Sequence, residues 1–134
     1  MAYLHMYEGT VTAGGTDGTQ VSEGGTQTSP ITFTLNATNN QVGASTAVAL
    51  RCDVNYQTTA GVNTTVTPTG TTAAKWRLSL DGVTWGAYGA ALTITAQIVA
   101  TNALLYVEAE ATSDETPTND TAVSLQVQAQ VEHV

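Results

Sequence analysis

With 134 residues and a formal net charge of −8, the chain is long enough for one domain with a hydrophobic core and has the wrong charge for binding nucleic acid. Its only reliable cations are Arg51, Lys75 and Arg77, whereas a DNA- or RNA-binding surface needs a basic patch to neutralise phosphates. Charged residues make up only 10% of the sequence and about one residue in five is threonine, a composition that favours strands and turns over helices.

The sequence shows no targeting or membrane segment. No basic region followed by an apolar stretch opens the chain, and no run approaches about 18 consecutive apolar residues. Cys52 is the only cysteine, so no internal disulfide can form. These features predict neither a signal peptide nor a membrane span, and they predict synthesis and folding in the cytoplasm.

Residues 1–29 are predicted to form an extended N-terminal arm. Residues 3–8 alternate well enough for a short strand. After them, three glycine-containing pairs between residues 14 and 25 interrupt a stretch rich in threonine and serine, which cannot fill a core. We therefore expect the globular body to start at Pro30 and to occupy residues 30–134.

Apolar and polar residues alternate through most of the body, as is typical of strands with one buried face. The clearest run is 123–131, where five apolar residues alternate with one serine and three glutamines. Asp81-Gly82 predicts a tight hairpin turn, and residues 113–121 predict a loop. In chain order we predict strands at 31–35, 48–54, 64–67, 74–80, 83–85, 92–98, 105–111 and 123–131.

The same alternation predicts which side chains point into the core. The segment Thr64–Thr67 is expected to be a weak edge strand, because Pro68 follows it and proline lacks the N–H that a ladder needs. For the stronger strands in the middle of the body, the residues expected to face inward are Val48, Leu50, Cys52, Val54, Ala74, Trp76, Leu78, Leu80, Leu92, Ile94, Ala96, Ile98, Leu105, Val107, Ala109 and Ala111.

Seven or eight short strands separated by turns predict an all-β fold, an immunoglobulin-like antiparallel β-sandwich. Trp76 lies on a middle strand, where such a core holds a large aromatic residue, and Cys52 lies on the preceding strong strand. The second cysteine of an immunoglobulin core is absent, since the later strand offers Val107 and Ala109 instead. We therefore expect packing alone to hold the core.

One acidic loop is a candidate cation site. Asp114, Glu115, Asn119 and Asp120 bring several oxygen atoms close together in sequence, and calcium binds six to eight oxygens. The spacing lacks the regular Asp-x-Asp-x-Asp-Gly order, and the same residues are common in turns. We favour a turn over a bound cation and expect no cofactor.

No set of residues predicts catalysis. His5 and His133 lie at opposite ends of the chain, with no acidic residue at a motif spacing from either, so we interpret both as surface residues. Cys52 is predicted to be buried on an apolar strand face, with Arg51 pointing to the other face, which does not favour a reactive thiolate. We expect the protein not to be an enzyme.

Aromatic and glutamine side chains are the main candidates for binding. Tyr7, Tyr56, Trp85 and Tyr88 are able to form a platform for sugar rings, but we favour packing or subunit contact. The outward ladder at 126, 128 and 130 suits a face covered by another protein, with a solubilising surface as the alternative. The residues predicted to contact a partner are Tyr3, His5, Tyr7, Trp85, Tyr88, Gln126 and Gln128.

Three stretches are distinctive as sequences: YLHMY with GTVTAGGTDG (residues 3–7 and 9–18), WRLSLDGVTW (76–85) and ATSDETPTND (111–120). They resemble small accessory virion proteins of tailed bacteriophages, especially phages of Gram-positive hosts. The resemblance implies an immunoglobulin-like module attached to a capsid or tail. It also implies a non-enzymatic protein present in many copies on a symmetric particle.

On this basis we expect a head decoration protein, or auxiliary capsid protein, whose arm docks on the capsid lattice by strand addition and shape rather than charge. The expected partners are the major capsid protein or tail proteins and further copies of the chain, with neither nucleic acid nor membrane. The alternative is a tail or baseplate component that contacts host-surface glycans through aromatic residues. Both interpretations place the protein in the virion, after synthesis and assembly in the host cytoplasm.

Overall fold

The computed structural model describes residues 3–21, 45–111 and 123–134, and every strand pair within them is antiparallel. A short 3-10 helix, Ala73–Lys75, precedes the sixth strand. In chain order the strands are β1 (Leu4–Glu8), β2 (Thr19–Gln20), β3 (Thr46–Cys52), β4 (Tyr56–Thr58), β5 (Thr64–Thr69), β6 (Trp76–Ser79), β7 (Leu92–Ile94), β8 (Ala103–Ala109), β9 (Ser124–Gln128) and β10 (Val131–His133).

The larger sheet has five strands in the order β2-β1-β3-β8-β6. β3 lies at its centre, with Leu50 opposite Met6 of β1 on one side and Ala103 of β8 on the other. Successive residues of a strand point to opposite faces, so Leu50 and Ala49 lie on different faces of the sheet. Both are fully buried, and β3 is therefore covered on both faces, as its nearly continuous apolar sequence favours.

The second sheet consists of β7-β5-β9 and is continued by the pair β10-β4. β4 and β5 follow each other along one side, joined by residues 59–63, and β9 and β10 run antiparallel to them along the other side. A backbone hydrogen bond from the Thr59 N–H to the Gln130 carbonyl, 2.8 Å long, connects the two pairs. The four strands thus form one interrupted ladder.

The hydrophobic core joins the two sheets. Val66 of β5 and Ile94 of β7 are buried in it, and Leu125 and Val127 of β9 pack against it. Each fully buried side chain of this size stabilises the fold by roughly 1.5–3 kcal/mol relative to exposure. The larger sheet contributes Leu4, Met6, Val48, Leu50, Cys52, Leu78, Leu105 and Val107.

The predicted all-β class is confirmed: the described strands form antiparallel sheets in a sandwich-like arrangement. Trp76 is half-buried at the start of β6 and packs against the core, and Cys52 is buried with a free thiol. The immunoglobulin-like topology stays a prediction.

Several predicted strands differ in extent from the observed ones. The run 92–98 is a strand only over Leu92–Ile94, and 123–131 is divided into β9 and β10. Residues 83–85 do not form a strand, because the Asp81 carboxylate accepts hydrogen bonds from the N–H groups of Val83 and Thr84. The predicted strand at 31–35 and the predicted loop at 113–121 lie outside the described residues.

The prediction of an edge strand at Thr64–Thr67 is wrong. β5 is longer and lies in the middle of its sheet, between β7 and β9. The pairing explains how Pro68 is tolerated there: β7 stops opposite Val66, so its ladder ends two residues before the proline.

Four residues expected in the core are exposed. Val54 is 75% exposed because the chain turns after Cys52: the Tyr56 N–H bonds to the Asp53 carbonyl, and Asn55 adopts a φ of 72°. Leu80 is 49% exposed because it follows β6 and precedes the Asp81 turn. The alternation of inward and outward side chains stops where a strand ends. Ala74 and Ala96 are exposed for the same reason, since both lie outside the observed strands.

Part of the predicted N-terminal arm belongs to the larger sheet. β1 lies between β2 and β3, and its residues Leu4 and Met6 are buried in the core. The expected strand at residues 3–8 is therefore present and contributes to the sandwich. The predicted boundary between residues 29 and 30 lies outside the described residues.

Candidate binding surfaces

Tyr3 lies in a cluster of three rings at one end of the sandwich. Its ring stacks on that of Tyr56 with the centroids 4.1 Å apart and the planes at 9°, and His133 meets Tyr56 edge-on at 5.2 Å. A hydrogen bond with the Tyr3 side chain, followed by partial burial, raises the pKa of Tyr56. Tyr56 lies in β4, His133 in β10 and Tyr3 directly before β1, so the cluster connects the two sheets.

Two exposed apolar residues are close to these rings in the chain: Val54 precedes Tyr56 by two residues, and Val134 follows His133. The Val134 N–H donates to the Asn55 carbonyl, which brings the end of β10 to the turn that carries Val54. The Asp53 N–H donates to the Tyr3 carbonyl. We call the surface formed by Tyr3, Val54, Tyr56, His133 and Val134 the aromatic end.

His5 points from β1 toward the same turn. Its Nε2 lies 3.5 Å from Asp53 Oδ1, close enough for an ion pair when the imidazole is protonated. Its Nδ1 lies 3.5 Å from Gln20 Nε2. Of the predicted partner-binding residues, Tyr3 and His5 thus both contact Asp53, next to the aromatic end.

The Tyr7 ring is held by an intramolecular contact with Arg51. The Arg51 guanidinium lies 3.7 Å from the centre of its ring, a cation–π contact on the outer face of the larger sheet. Arg51 Nη1 also donates to the Asp17 carbonyl and to Asn102 Oδ1, at 3.0 and 2.8 Å. The bond to Asp17 holds the segment between β1 and β2 against the outer face of the sheet.

Asp17 completes this network. Hydrogen bonds from the Thr12 backbone and hydroxyl are the main reason that the pKa of Asp17 is lowered. Asn102 Nδ2 donates to the same carboxylate at 2.8 Å. Asn102 could not be recognised from the sequence, because nothing in its local pattern distinguishes it from other loop asparagines.

Trp85 and Tyr88 both lie beside Arg77. The guanidinium carbon is 5.1 Å from the centre of the Trp85 ring and 4.9 Å from that of Tyr88. Arg77 also pairs with Glu108 on the neighbouring strand. Burial raises the pKa of Tyr88. One face of each ring is therefore turned to the cation, and the loop after β6 is fastened to the sheet.

The turn before Trp85 is held by Ser79 and Asp81. The buried Ser79 hydroxyl donates to the Thr84 carbonyl at 2.7 Å and accepts from the Gly82 N–H at 2.9 Å. Bonds from the N–H groups of Thr84 and Val83 are the main causes that lower the pKa of Asp81 to about 2. Gly82 has a φ of 75° and lies against Tyr106, so the tight turn needs glycine there.

Gln126 and Gln128 lie on the outer face of the second sheet, where both are exposed. They stand opposite Thr67 and Thr65 of β5, respectively. Within β5, β7 and β9 the residues on this face are uncharged, whereas Glu132 of β10 pairs with Gln57 of β4 farther along the same ladder. We call it the uncharged face; its members are Thr65, Thr67, Thr69, Thr93, Ser124, Gln126 and Gln128.

The described residues hold no group of three or more His, Cys, Asp or Glu side chains placed to bind a metal ion. The candidate acidic loop at Asp114, Glu115, Asn119 and Asp120 lies outside those residues. Burial, and then the charge of Asp53, raise the pKa of Cys52, and its sulfur lies 3.6 Å from the Ile98 carbonyl. This environment favours the neutral thiol over a nucleophilic thiolate.

Comparisons with known proteins give no relative: no family model matches the chain, and neither a curated protein nor a solved structure matches it significantly. Among the described residues, no helix is long and apolar enough to cross a membrane.

Proposed function

We propose that the protein is an accessory structural protein of a tailed-bacteriophage virion, and more specifically a head decoration protein that binds the major capsid protein. The observation that carries the proposal is the aromatic end, where the stacked rings of Tyr3 and Tyr56 lie next to the turn that carries the exposed Val54. The sequence resemblance of residues 3–7, 9–18, 76–85 and 111–120 to accessory virion proteins supports it. In this proposal the protein has no catalytic role and no cofactor.

The aromatic end has the properties of a contact surface. Stacked tyrosines offer a large apolar area that is already ordered, so little side-chain freedom is lost on binding. An exposed apolar cluster also costs solubility unless it is covered. Since Leu4 and Met6 of β1 are buried, the proposed docking uses this preformed end and not a free arm.

A pair of valines makes a matched test of docking. Val54 is 75% exposed at the aromatic end and Val83 is 81% exposed in the loop after β6. Val54→Asp should abolish co-sedimentation with phage particles that lack the protein, because it puts a charge into the contact. Val83→Asp adds the same charge elsewhere and should bind as the unmodified protein does. Equal binding by both variants would contradict docking through the aromatic end.

A tail or baseplate component that binds host-surface glycans is the second candidate. It is favoured by the arrangement of Trp85 and Tyr88 beside the Arg77–Glu108 pair, since sugars are held by aromatic rings and nearby hydrogen-bonding groups. This candidate predicts that Trp85→Ala abolishes retention on host cell-wall glycan while particle assembly is unchanged. Retention equal to that of the unmodified protein would remove it.

A further inference from the structure

The edges of the larger sheet offer little backbone for further pairing. At β6, the Gly86 N–H donates to the Leu78 carbonyl at 3.2 Å, and the Gly89 N–H donates to the Trp76 carbonyl at 2.7 Å. The loop after β6 thus satisfies backbone groups that an edge strand otherwise leaves unpaired. At the other edge the sheet ends in β2, which is only two residues long.

The second sheet has a longer edge on the outer side of β9. The Gln130 carbonyl and the Val134 N–H both bond toward the side of β4 and β5. Successive residues of an antiparallel strand direct their N–H and C=O groups to opposite sides, so the odd-numbered residues direct theirs to the outer edge. Pro68, which has no N–H to share, stands opposite one of them, Leu125. Among the described residues no strand pairs with this edge, which is formed by Leu125, Val127 and Ala129.

β9 lacks the features that usually protect an edge strand. From Ser124 to Gln128 it has no proline and no charged residue, which are common means of preventing an exposed edge from pairing. Its inward-facing Leu125 and Val127 are half-buried, whereas Pro68 and Val66 opposite them on β5 are buried. An added strand with apolar residues at every second position would pair the outer backbone groups and cover both side chains.

Outside the described residues, the sequence contains one segment with this pattern. The stretch 112–122 does not have it, because it contains three carboxylates and a proline. In the stretch 22–44, the apolar Ile31, Phe33 and Leu35 alternate with Thr32 and Thr34, and none of the five is charged. The composition of residues 31–35 therefore matches that of β9.

We propose that residues 31–35 add to the outer edge of β9 as a further strand of the second sheet. The described chain stops before this segment at Val21, which packs against the core, and resumes at Ser45. The segment lies ten positions from each of them in the sequence. Each connection can span up to about 33 Å, enough to pass between sheets about 10 Å apart.

The inference does not depend on the proposed virion function, but it bears on how docking would occur. An edge that is closed by the protein's own chain is not available to a strand of a partner. Docking would then use the aromatic end and not strand addition to β9.

Backbone amide exchange measured by NMR tests the proposal at single residues. If the segment pairs with β9, the amides of Leu125 and Val127 should exchange with solvent as slowly as those of Gln126 and Gln128. The two glutamine amides face β5 and are bonded in either case, so they are the internal reference. Leu125 and Val127 amides that exchange at least about tenfold faster than the reference amides would overturn the proposal.

A matched pair of variants identifies the segment. Phe33→Asp puts a charge on the side that should face the core, so the Leu125 and Val127 amides should exchange at least about tenfold faster while Gln126 stays protected. Thr34→Asp puts the same charge on the opposite side, beside the uncharged face, and should change these rates by less than about twofold. Equal rates in the two variants would overturn the proposal. Protection that is lost when the unmodified protein is diluted would also overturn it, because the strand would then come from a second copy.

Discussion

Arg77 and Glu108 form a two-pronged ion pair across β6 and β8: the Arg77 Nε donates to Glu108 Oε2 at 2.7 Å, and its Nη2 lies 2.6 Å from the same oxygen. Both side chains are mostly shielded from solvent. The pair stands on the outer face of the larger sheet, where Trp85 and Tyr88 approach the same guanidinium. The Arg77 guanidinium thus contacts both the neighbouring strand β8 and the loop that follows β6.

Replacing Arg77 should loosen this loop and destabilise the fold. Arg77→Gln removes the charge and leaves Glu108 partly buried without its cation, so we expect a loss of about 1–3 kcal/mol in the free energy of unfolding. Urea denaturation measures it. Arg77→Lys keeps the charge without the planar fork and should lose less. Unchanged stability in Arg77→Gln would show that the pair does not fasten the loop.

The Asp81 turn should lose its stabilising effect in acid. The pKa of this carboxyl is lowered to about 2 in the folded state from an ordinary value of 3.8, so its ionised form favours folding. This contribution is fully present above about pH 4 and is lost as the pH falls through 2. Asp81→Asn keeps an oxygen acceptor but cannot titrate, so its stability should fall less than that of the unmodified protein between pH 4 and pH 2.

Carbon-detected NMR titration gives a direct reading of the same group. The Asp81 carboxyl should titrate near pH 2, and an apparent pKa close to 3.8 would contradict the hydrogen-bonded turn.

Two leucines of one segment should respond very differently to truncation. Leu78 is 2% exposed in the core, while Leu80 is 49% exposed just beyond the end of β6. Leu78→Ala should cost about 2–5 kcal/mol, because it leaves a cavity. Leu80→Ala removes the same atoms from a partly solvated site and should cost less than about 1 kcal/mol. Similar losses measured by urea denaturation would show that Leu80 is also a core residue.

The N-terminal strand should be essential to the fold. Met6 is buried against the central strand β3, so Met6→Ala should cost about 2–5 kcal/mol in the free energy of unfolding. Thr10→Ala, in the exposed segment after β1, is the control and should stay within about 0.5 kcal/mol. If Met6→Ala unfolds at the same urea concentration as the unmodified protein, β1 behaves as an arm and not as a core strand.

The strands could be predicted from the sequence where alternation and burial coincide. Leu105 and Val107 of β8 alternate with half-buried neighbours and lie in the core as expected. Alternation cannot locate the end of a strand, however, because Val54 and Leu80 continue the apolar pattern past the residues where hydrogen bonds to Asp53 and Ser79 turn the chain. Such ends are set by turn geometry, which a period of two does not contain.

The candidate surfaces could be predicted only in part. The alternating glutamines of β9 could be predicted from the sequence of that strand alone. Their position beside the threonines of β5 could not, because it depends on the strand register, which pairs Gln126 with Thr67. The ring cluster of Tyr3, Tyr56 and His133 joins residues that are far apart in sequence.

The proposed function is tested most directly by the copy number of the protein in purified particles of the phage that we propose encodes it, measured by quantitative mass spectrometry against the major capsid protein. A decoration protein follows the symmetry of the capsid lattice and should be present in on the order of hundreds of copies. A few to some tens of copies would place it on the tail and contradict decoration. Its absence from the particles would contradict the virion proposal altogether.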